Sequence, residues 1–291
     1  MAVTITDVFI EEFTANLISL SQQRPSLLRP YVMEVSATGE GYNWDRIGPV
    51  EAIDKTTRAT ATPVQDTPFS RRKSIPQTVQ LGDLVEEAEI VQMLPDPKSA
   101  IAREFAYGMN RAYDDEIIAA AVGDSRDGAG AAVTLPAGQA IDSNSTDITL
   151  DLLTQVNEKF MENNIDPDVP KIWVIGPSQA RQLLKLSEVN NIDTNNVRPL
   201  VTGQPVHFMG FDFLVSTRLQ AGAKATGNLS SKTFAMTHDA IGLQVNNSLK
   251  ARVAEDPSVS FAWRVYAEAT FGAIRVEDEK LVVVDIDNDV G

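Results

Sequence analysis

Asp285, Asp287 and Asp289 alternate as the opening residues of a calcium loop do. Such a loop also needs a Gly at its sixth position and a bidentate Glu at its twelfth, and the sequence stops at Gly291, so the three read as a solvated acidic tail. Two carboxylate clusters, Glu86, Glu87 and Glu89 and then Asp114, Asp115 and Glu116, hold the residue types of a general acid and its base. That chemistry needs one pKa raised by burial, which spacing does not establish; Asp115 and Glu116 fall at the polar edge of a helical pattern and are expected in solvent. Thr237-His238-Asp239 contains the types of a triad, but there is no G-x-S-x-G elbow, and sequence neighbours rarely form one. His238 reads as a turn or cap residue, and His207 as structural.

The glycine-rich stretch Gly123–Gly130 lacks both the GxxxxGK[ST] spacing and the strand–loop–helix setting of a phosphate cradle, and Asp124 and Asp127 would repel phosphate. It reads as a mobile surface loop. Trp44, Trp173 and Trp263 are assigned to packing. With no Cys and only two His, thiolate chemistry, disulfides and histidine metal cages are excluded. No cofactor and no metal is expected, and no catalytic residue is assigned.

The 291 residues are 43% hydrophobic and 22% charged, enough apolar mass for one large domain or two smaller ones. Lys and Arg number 25 against 40 Asp and Glu, a formal charge of −15. That balance argues against a nucleic-acid binder and against docking on anionic lipid. The asymmetry is local: residues 1–80 carry 8 basic and 9 acidic side chains, residues 81–291 carry 17 and 31. The longest apolar run, Ile117–Val122, is far short of a membrane span, and no basic leader precedes the first apolar residues. A soluble protein made in a reducing compartment is the expectation.

The elements follow from periodicity. Ile10, Phe13, Leu17 and Leu20 predict a helix over Thr6–Leu20, and Arg24-Pro25 and Arg29-Pro30 predict extended chain after it. Asp96 as N-cap, Pro97 at the first position and Gly123 past the end delimit a helix over Pro97–Val122, about 39 Å long at about 1.5 Å per residue. Ile101, Phe105, Met109, Ala112 and Ile117 are its expected inner face. A second helix lies near Asp147–Asn163, with Ile148, Leu152, Val156 and Phe160 inward. Then come a buried-type strand over Lys171–Ile175, a short helix with Leu183, Leu184 and Leu186, and a loop over Asn190–Asn196. A hairpin turns at Met209-Gly210, and strands are expected at Lys232–Met236, on both sides of Glu255–Ser258, and at Leu281–Ile286.

Residues 50–80 are different. Thr56, Thr57, Thr60, Thr62 and Thr67 favour extended chain, Pro63 and Pro68 bracket a turn, and a long two-stranded hairpin is predicted. Its apolar residues, Ile53, Val64, Phe69, Ile75 and Val79, are too few for a core, and a lone hairpin is marginal in water. Such an arm needs another surface to hold it.

The run Ala106-Tyr107-Gly108-Met109-Asn110-Arg111-Ala112-Tyr113-Asp114-Asp115-Glu116-Ile117-Ile118-Ala119-Ala120 resembles the spine helix of tailed-phage major capsid proteins, the Hong Kong 97-type fold. Val206–Phe213 resembles that family's axial-domain hairpin, and Phe261–Ala273 its late peripheral-domain strands. The order helical arm, lone hairpin, long helix, mixed middle and C-terminal strands is similar over almost the whole chain.

The resemblance implies an α+β fold divided into an N-terminal arm over 1–47, an extended E-loop hairpin over 48–82, a peripheral domain from 83–140 and 246–291 with spine helix 97–122, and an axial domain over 141–245. It implies a non-enzymatic virion protein, made in the bacterial host cytoplasm, that forms hexamers and pentamers of an icosahedral shell around double-stranded DNA. The E-loop residues expected to touch another subunit are Arg58, Phe69, Arg71, Arg72 and Lys73. Because the arm starts almost at Met1, a separate scaffolding protein is implied, with a portal protein and room for a decoration protein; neither sequence-specific nucleic-acid binding nor membrane association is expected. Some relatives form Lys–Asn cross-links, and none is predicted here. Two alternatives stand beside this reading: an encapsulin-type compartment shell of the same fold, and a carboxylate-dependent hydrolase to be tested at Glu86, Glu87 and Glu116.

Overall fold

The computed structural model describes residues 22–23, 25–58, 61–62, 64–85, 97–143, 147–186, 207–222 and 230–288. Strands β1 (Met33–Ser36), β2 (Tyr42–Ile47), β3 (Phe69–Ser74) and β4 (Gln77–Val85) precede the long helix α1 (Pro97–Val122). Short strands β5 (Ser125–Arg126), β6 (Ala132–Val133) and β7 (Ala140–Ser143) lead to helix α2 (Leu150–Glu162), strand β8 (Lys171–Ile175) and helix α3 (Pro177–Lys185). The rest is β: β9 (His207–Phe208), β10 (Phe211–Val215), β11 (Ala221–Gly222), β12 (Ser230–Thr237), β13 (Ile241–Asp256), β14 (Ala262–Arg275) and β15 (Leu281–Asp287). This is a mixed, α+β architecture. The expected helix Thr6–Leu20, the cap Asp96, the loop Asn190–Asn196, Asp289 and the carboxylates Glu86, Glu87 and Glu89 lie outside the described residues.

The chain divides into two compact units. One takes the described residues of Met1–Ser26, Gln77–Tyr113 and Asn246–Phe271; the other takes those of Leu27–Pro76, Asp114–Val245 and Gly272–Gly291. In the first, β4 runs antiparallel to β14 from Gln77 opposite Phe271 to Val85 opposite Trp263. Period-two alternation turns Val265, Ala267, Ala269 and Phe271 inward. Tyr113 of α1 stacks on Phe271 at 4.0 Å, and Met109 is fully buried one turn before it. The inward face of α1 in this unit therefore passes through Met109 and Tyr113, at i, i+4 spacing, and not through the half-buried Ala112.

In the second unit six strands form the order β7-β15-β12-β8-β10-β9, with β11 attached to β12. All five residues of β8 are buried, because β10 pairs with it in parallel on one side and β12 antiparallel on the other. Helix α2 begins where Thr149 Oγ1 accepts the Leu152 N–H at 3.2 Å. It contributes Leu152, Leu153, Val156 and Phe160 to one apolar cluster with Leu183, Trp173, Phe211, Val282, Val284 and Ile286. Met209 and Gly210, with φ of 51° and 82°, make the tight turn between β9 and β10.

Several expectations change. The hairpin predicted across 50–80 is paired earlier and more briefly, β2 against β3, while Gln77–Gly82, assigned to the arm, belong to sheet strand β4. Strand β15, assigned to the peripheral domain, lies between β7 and β12 in the second unit. Asp285 and Asp287 are residues of that strand, not a solvated tail; the buried Asp287 carbonyl accepts from Gln179 and Gln182. Arg29–Tyr31 is a short 3-10 turn instead of extended chain, with Pro30 in the first turn, where its missing N–H costs nothing. The glycine-rich stretch is a docked hairpin, β5 against β6, with the Ser125 side chain buried.

Candidate assembly surface

The β2–β3 stem pairs Tyr42 with Ser74, Trp44 with Arg72 and Ile47 with Phe69. Alternation splits it into two faces. Trp44, Arg72 and Ser74 point into the protomer; Asp45, Ile47, Phe69 and Arg71 point out. Trp44 packs with Ile274 and Val276 and donates its indole N–H to Ser74 Oγ at 3.2 Å. Its ring lies so close to Gly242 that a Cβ there would sit 2.6 Å from it. Ser74 Oγ in turn donates to Gln244 Oε1 at 2.7 Å.

Beyond the stem the character reverses. Gly48 N–H donates to Pro68 O at 2.8 Å, and no strand follows among the described residues of 48–68. Ile47 is 69% exposed, Phe69 73% and Val64 93%, with Val50 and Ile53 more than half exposed. Large apolar side chains on one segment, none of them covered, form a surface of the kind that marks an interaction site. Arg71 pairs with Asp45 at 2.5 Å on the exposed face of the stem, where such a bridge contributes little.

The five residues expected to touch another subunit thus separate. Arg58, Phe69 and Arg71 are exposed, and Lys73 is half-buried. Arg72 is corrected: at 7% exposure, its guanidinium is bonded to Asp278 inside its own protomer and is not presented outward. The sequence held the signal, since in Phe69-Ser70-Arg71-Arg72-Lys73-Ser74 a period of two puts Arg72 and Ser74 on the face opposite Phe69, Arg71 and Lys73.

Of the carboxylates considered for catalysis, Asp114, Asp115 and Glu116 are taken up by structure. Asp114 is buried and accepts the backbone N–H groups of Leu27 and Leu28 at 3.0 and 3.1 Å. Asp115 holds Arg218 with both oxygens. Glu116, expected in solvent, is half-buried and accepts from Ala273 N; burial pushes its carboxyl above the ordinary value, and that backbone contact opposes the shift. Adjacent residues on a helix point about 100° apart, so the three fasten three different segments and cannot converge on one substrate. His207 Nδ1 lies 2.8 Å from Asp212 on an exposed hairpin, and His238 sits in a turn. Among the described residues no group of three or more His, Asp or Glu could hold a metal ion, and no helix is long and apolar enough to cross a membrane.

The family model described as phage capsid protein matches residues 5–289. No curated protein matches the chain. Among solved structures, the capsid of the cyanophage P-SCSP1u superposes with a TM-score of 0.76 at 13% identity, over 99% of this chain and 96% of that one. The capsid of Ralstonia phage GP4 superposes with a TM-score of 0.73 at 9% identity, over 100% and 98%. A chain of Mycobacterium phage Che8 does so at 0.71 and 16% identity, over 95% and 97%. Near-complete coverage of both chains at such low identity means that the fold is shared although the sequences have diverged.

Proposed function

Because the chain belongs to the phage capsid protein family, has the Hong Kong 97-type fold and is a shell component that associates with itself, we propose that the loop 48–68 is the arm by which one copy holds the next. The observation that carries this is the row of uncovered apolar side chains, Ile47, Val50, Ile53, Val64 and Phe69, at the end of a two-stranded stem. In a lone protomer they remain in water; seated on an adjoining copy they add apolar burial to a closed, symmetric assembly, where modest contacts multiply.

On this reading the copies form hexamers and pentamers of an icosahedral shell around double-stranded DNA, in a virion made in the bacterial host cytoplasm. The division the resemblance implies is kept in outline: an N-terminal arm, an E-loop beyond the β2–β3 stem, a peripheral part built around α1 and β14, and an axial part built around α2, β8 and β10. The net charge of −15 suits a container that must not grip the phosphates packed inside it. The protein acts without catalysis and without a cofactor, and a scaffolding protein, a portal and in some shells a decoration protein work beside it. The phage family match goes against the cellular-compartment alternative, and of the three carboxylates named for the hydrolase, the one among the described residues, Glu116, is engaged by the Ala273 N–H.

Replacing residues 49–67 by a short glycine turn, which leaves β2 and β3 intact, tests the reading. The expected product is a folded subunit, with an unchanged circular dichroism spectrum, that forms no shells under conditions where the full chain does, as seen by electron microscopy. Shells of normal yield from the shortened chain would overturn it.

A further inference from the structure

Arg72 leaves the inward face of β3 and donates to Asp278 Oδ2 at 2.5 Å, with both side chains about nine-tenths buried. The other oxygen of Asp278 accepts from Arg275 Nε at 2.5 Å. Arg275 is fully buried and works as a hub: it donates to Gly123 O at 2.6 Å and to Val133 O at 3.1 Å, while its own carbonyl accepts from Ser125 Oγ at 2.8 Å. Three stretches distant in sequence meet there: the loop stem, the glycine-rich hairpin that follows α1, and the turn between β14 and β15. The hairpin also touches the stem directly, through a backbone bridge between Asp127 and Arg72 and the close approach of Gly128 to the Arg71 side chain.

A two-stranded stem is marginal alone, and its apolar anchoring is confined to Tyr42 and Trp44 at the root. A buried ion pair contributes little net stability compared with apolar packing of the same size. It does tolerate only one geometry, because any displacement leaves a desolvated charge without its partner. We propose that the Arg72–Asp278–Arg275 triad is a positioning device that fixes the bearing at which the loop leaves its protomer, so that self-association depends on three side chains that the adjoining copy need not touch. The hinge for any loop motion then falls at Gly48 and Pro68, outside the triad, and not at the stem root. The inference rests on the reading of 48–68 as the assembling arm and adds the part that aims it.

The test is Arg72→Met in the full chain, a change that leaves Asp278 paired with Arg275, beside Arg72→Lys, which restores the charge. In Arg72→Met, hydrogen exchange of amides 69–74 should quicken, and shell formation followed by light scattering should slow, each by about tenfold, with Arg72→Lys intermediate. Unchanged exchange in 69–74, or faster exchange with assembly at the normal rate, overturns the proposal. Should Arg72→Met fail to fold, the unaltered subunit decides: amides of 42–47 and 69–74 should exchange at least about tenfold more slowly than those of 49–58, and equal rates overturn the latch. Assembly that survives removal of 49–67 defeats the arm reading itself; assembly that needs the loop but ignores Arg72→Met defeats only the latch.

Discussion

Trp173 and Phe69 stand on strands of the same unit, and the protein treats them in opposite ways. Trp173, on the central strand β8, is fully buried, with Phe211 5.4 Å and Phe213 5.9 Å from its ring and its indole N–H donated to Thr233 Oγ1 at 3.2 Å. Phe69, where β3 begins, keeps 73% of its surface in water. Between them stands Trp44 at the stem root, 7% exposed and wedged on Gly242. Both regions carry large apolar side chains, so the presence of such a residue does not by itself say whether it is buried. What separates them is the covering surface: the sheet covers Trp173 with its own strands and helices, while the loop has no cover within its own protomer and, on the proposed reading, takes it from another copy.

Cutting into the core should have the largest effect. Trp173→Ala removes the indole from a closed cluster and is expected to cost about 3–5 kcal/mol, read as a lower midpoint in urea unfolding of the subunit. A loss below about 1 kcal/mol would mean that the sheet interior is as loosely held as the loop, and the comparison would collapse. Gly242→Ala probes the intermediate position. Its Cβ would fall 2.6 Å from the Trp44 ring, so the tryptophan must shift, at about 1–3 kcal/mol by the same measurement. Full stability in that variant would show that the stem root is not packed as tightly as the distances say.

How far the sequence disclosed this follows the same division. The all-buried strand over Lys171–Ile175, the stripe Leu152, Val156, Phe160 and the Met209-Gly210 turn were readable, because local periodicity and turn chemistry agree there with the tertiary contacts. The coreless character of the segment around Val64 and Phe69 was readable too, from the scarcity of apolar residues. The exact pairing was not: crowded Thr residues suggested strands over 50–80, yet the ladder lies at 42–47 and 69–74, where Trp44, Arg72 and Ser74 have something to pack against. Strand propensity is expressed only where a face is buried. Arg72 and Glu116 were misread because a charged side chain looks solvated until its partner, 206 residues away for Arg72 and 157 for Glu116, is placed beside it. Asp285 and Asp287 were misread because their strand is fixed by ladders to β12 and β7, both far away in sequence.

The smallest effect on the subunit should come from Phe69→Ser, and its smallness is informative. A side chain already in water gives up little on unfolding, so removing it should shift subunit stability by no more than about 0.5 kcal/mol in either direction. Phe69 does sit opposite Ile47 at the end of the ladder, and a cross-strand apolar pair contributes about 0.2–1 kcal/mol, so a slight loss is the expected sign. The same substitution removes a large apolar surface from the outward face of the stem, where a seated neighbour would cover it, and shell yield should fall far more than stability does. Measured side by side in urea unfolding and in assembly, Phe69→Ser should separate the two quantities that Trp173→Ala changes together. If it instead destabilises the isolated subunit as much as Gly242→Ala does, Phe69 is buried within its own protomer in solution, and the loop is a lid on this chain and not an arm toward the next.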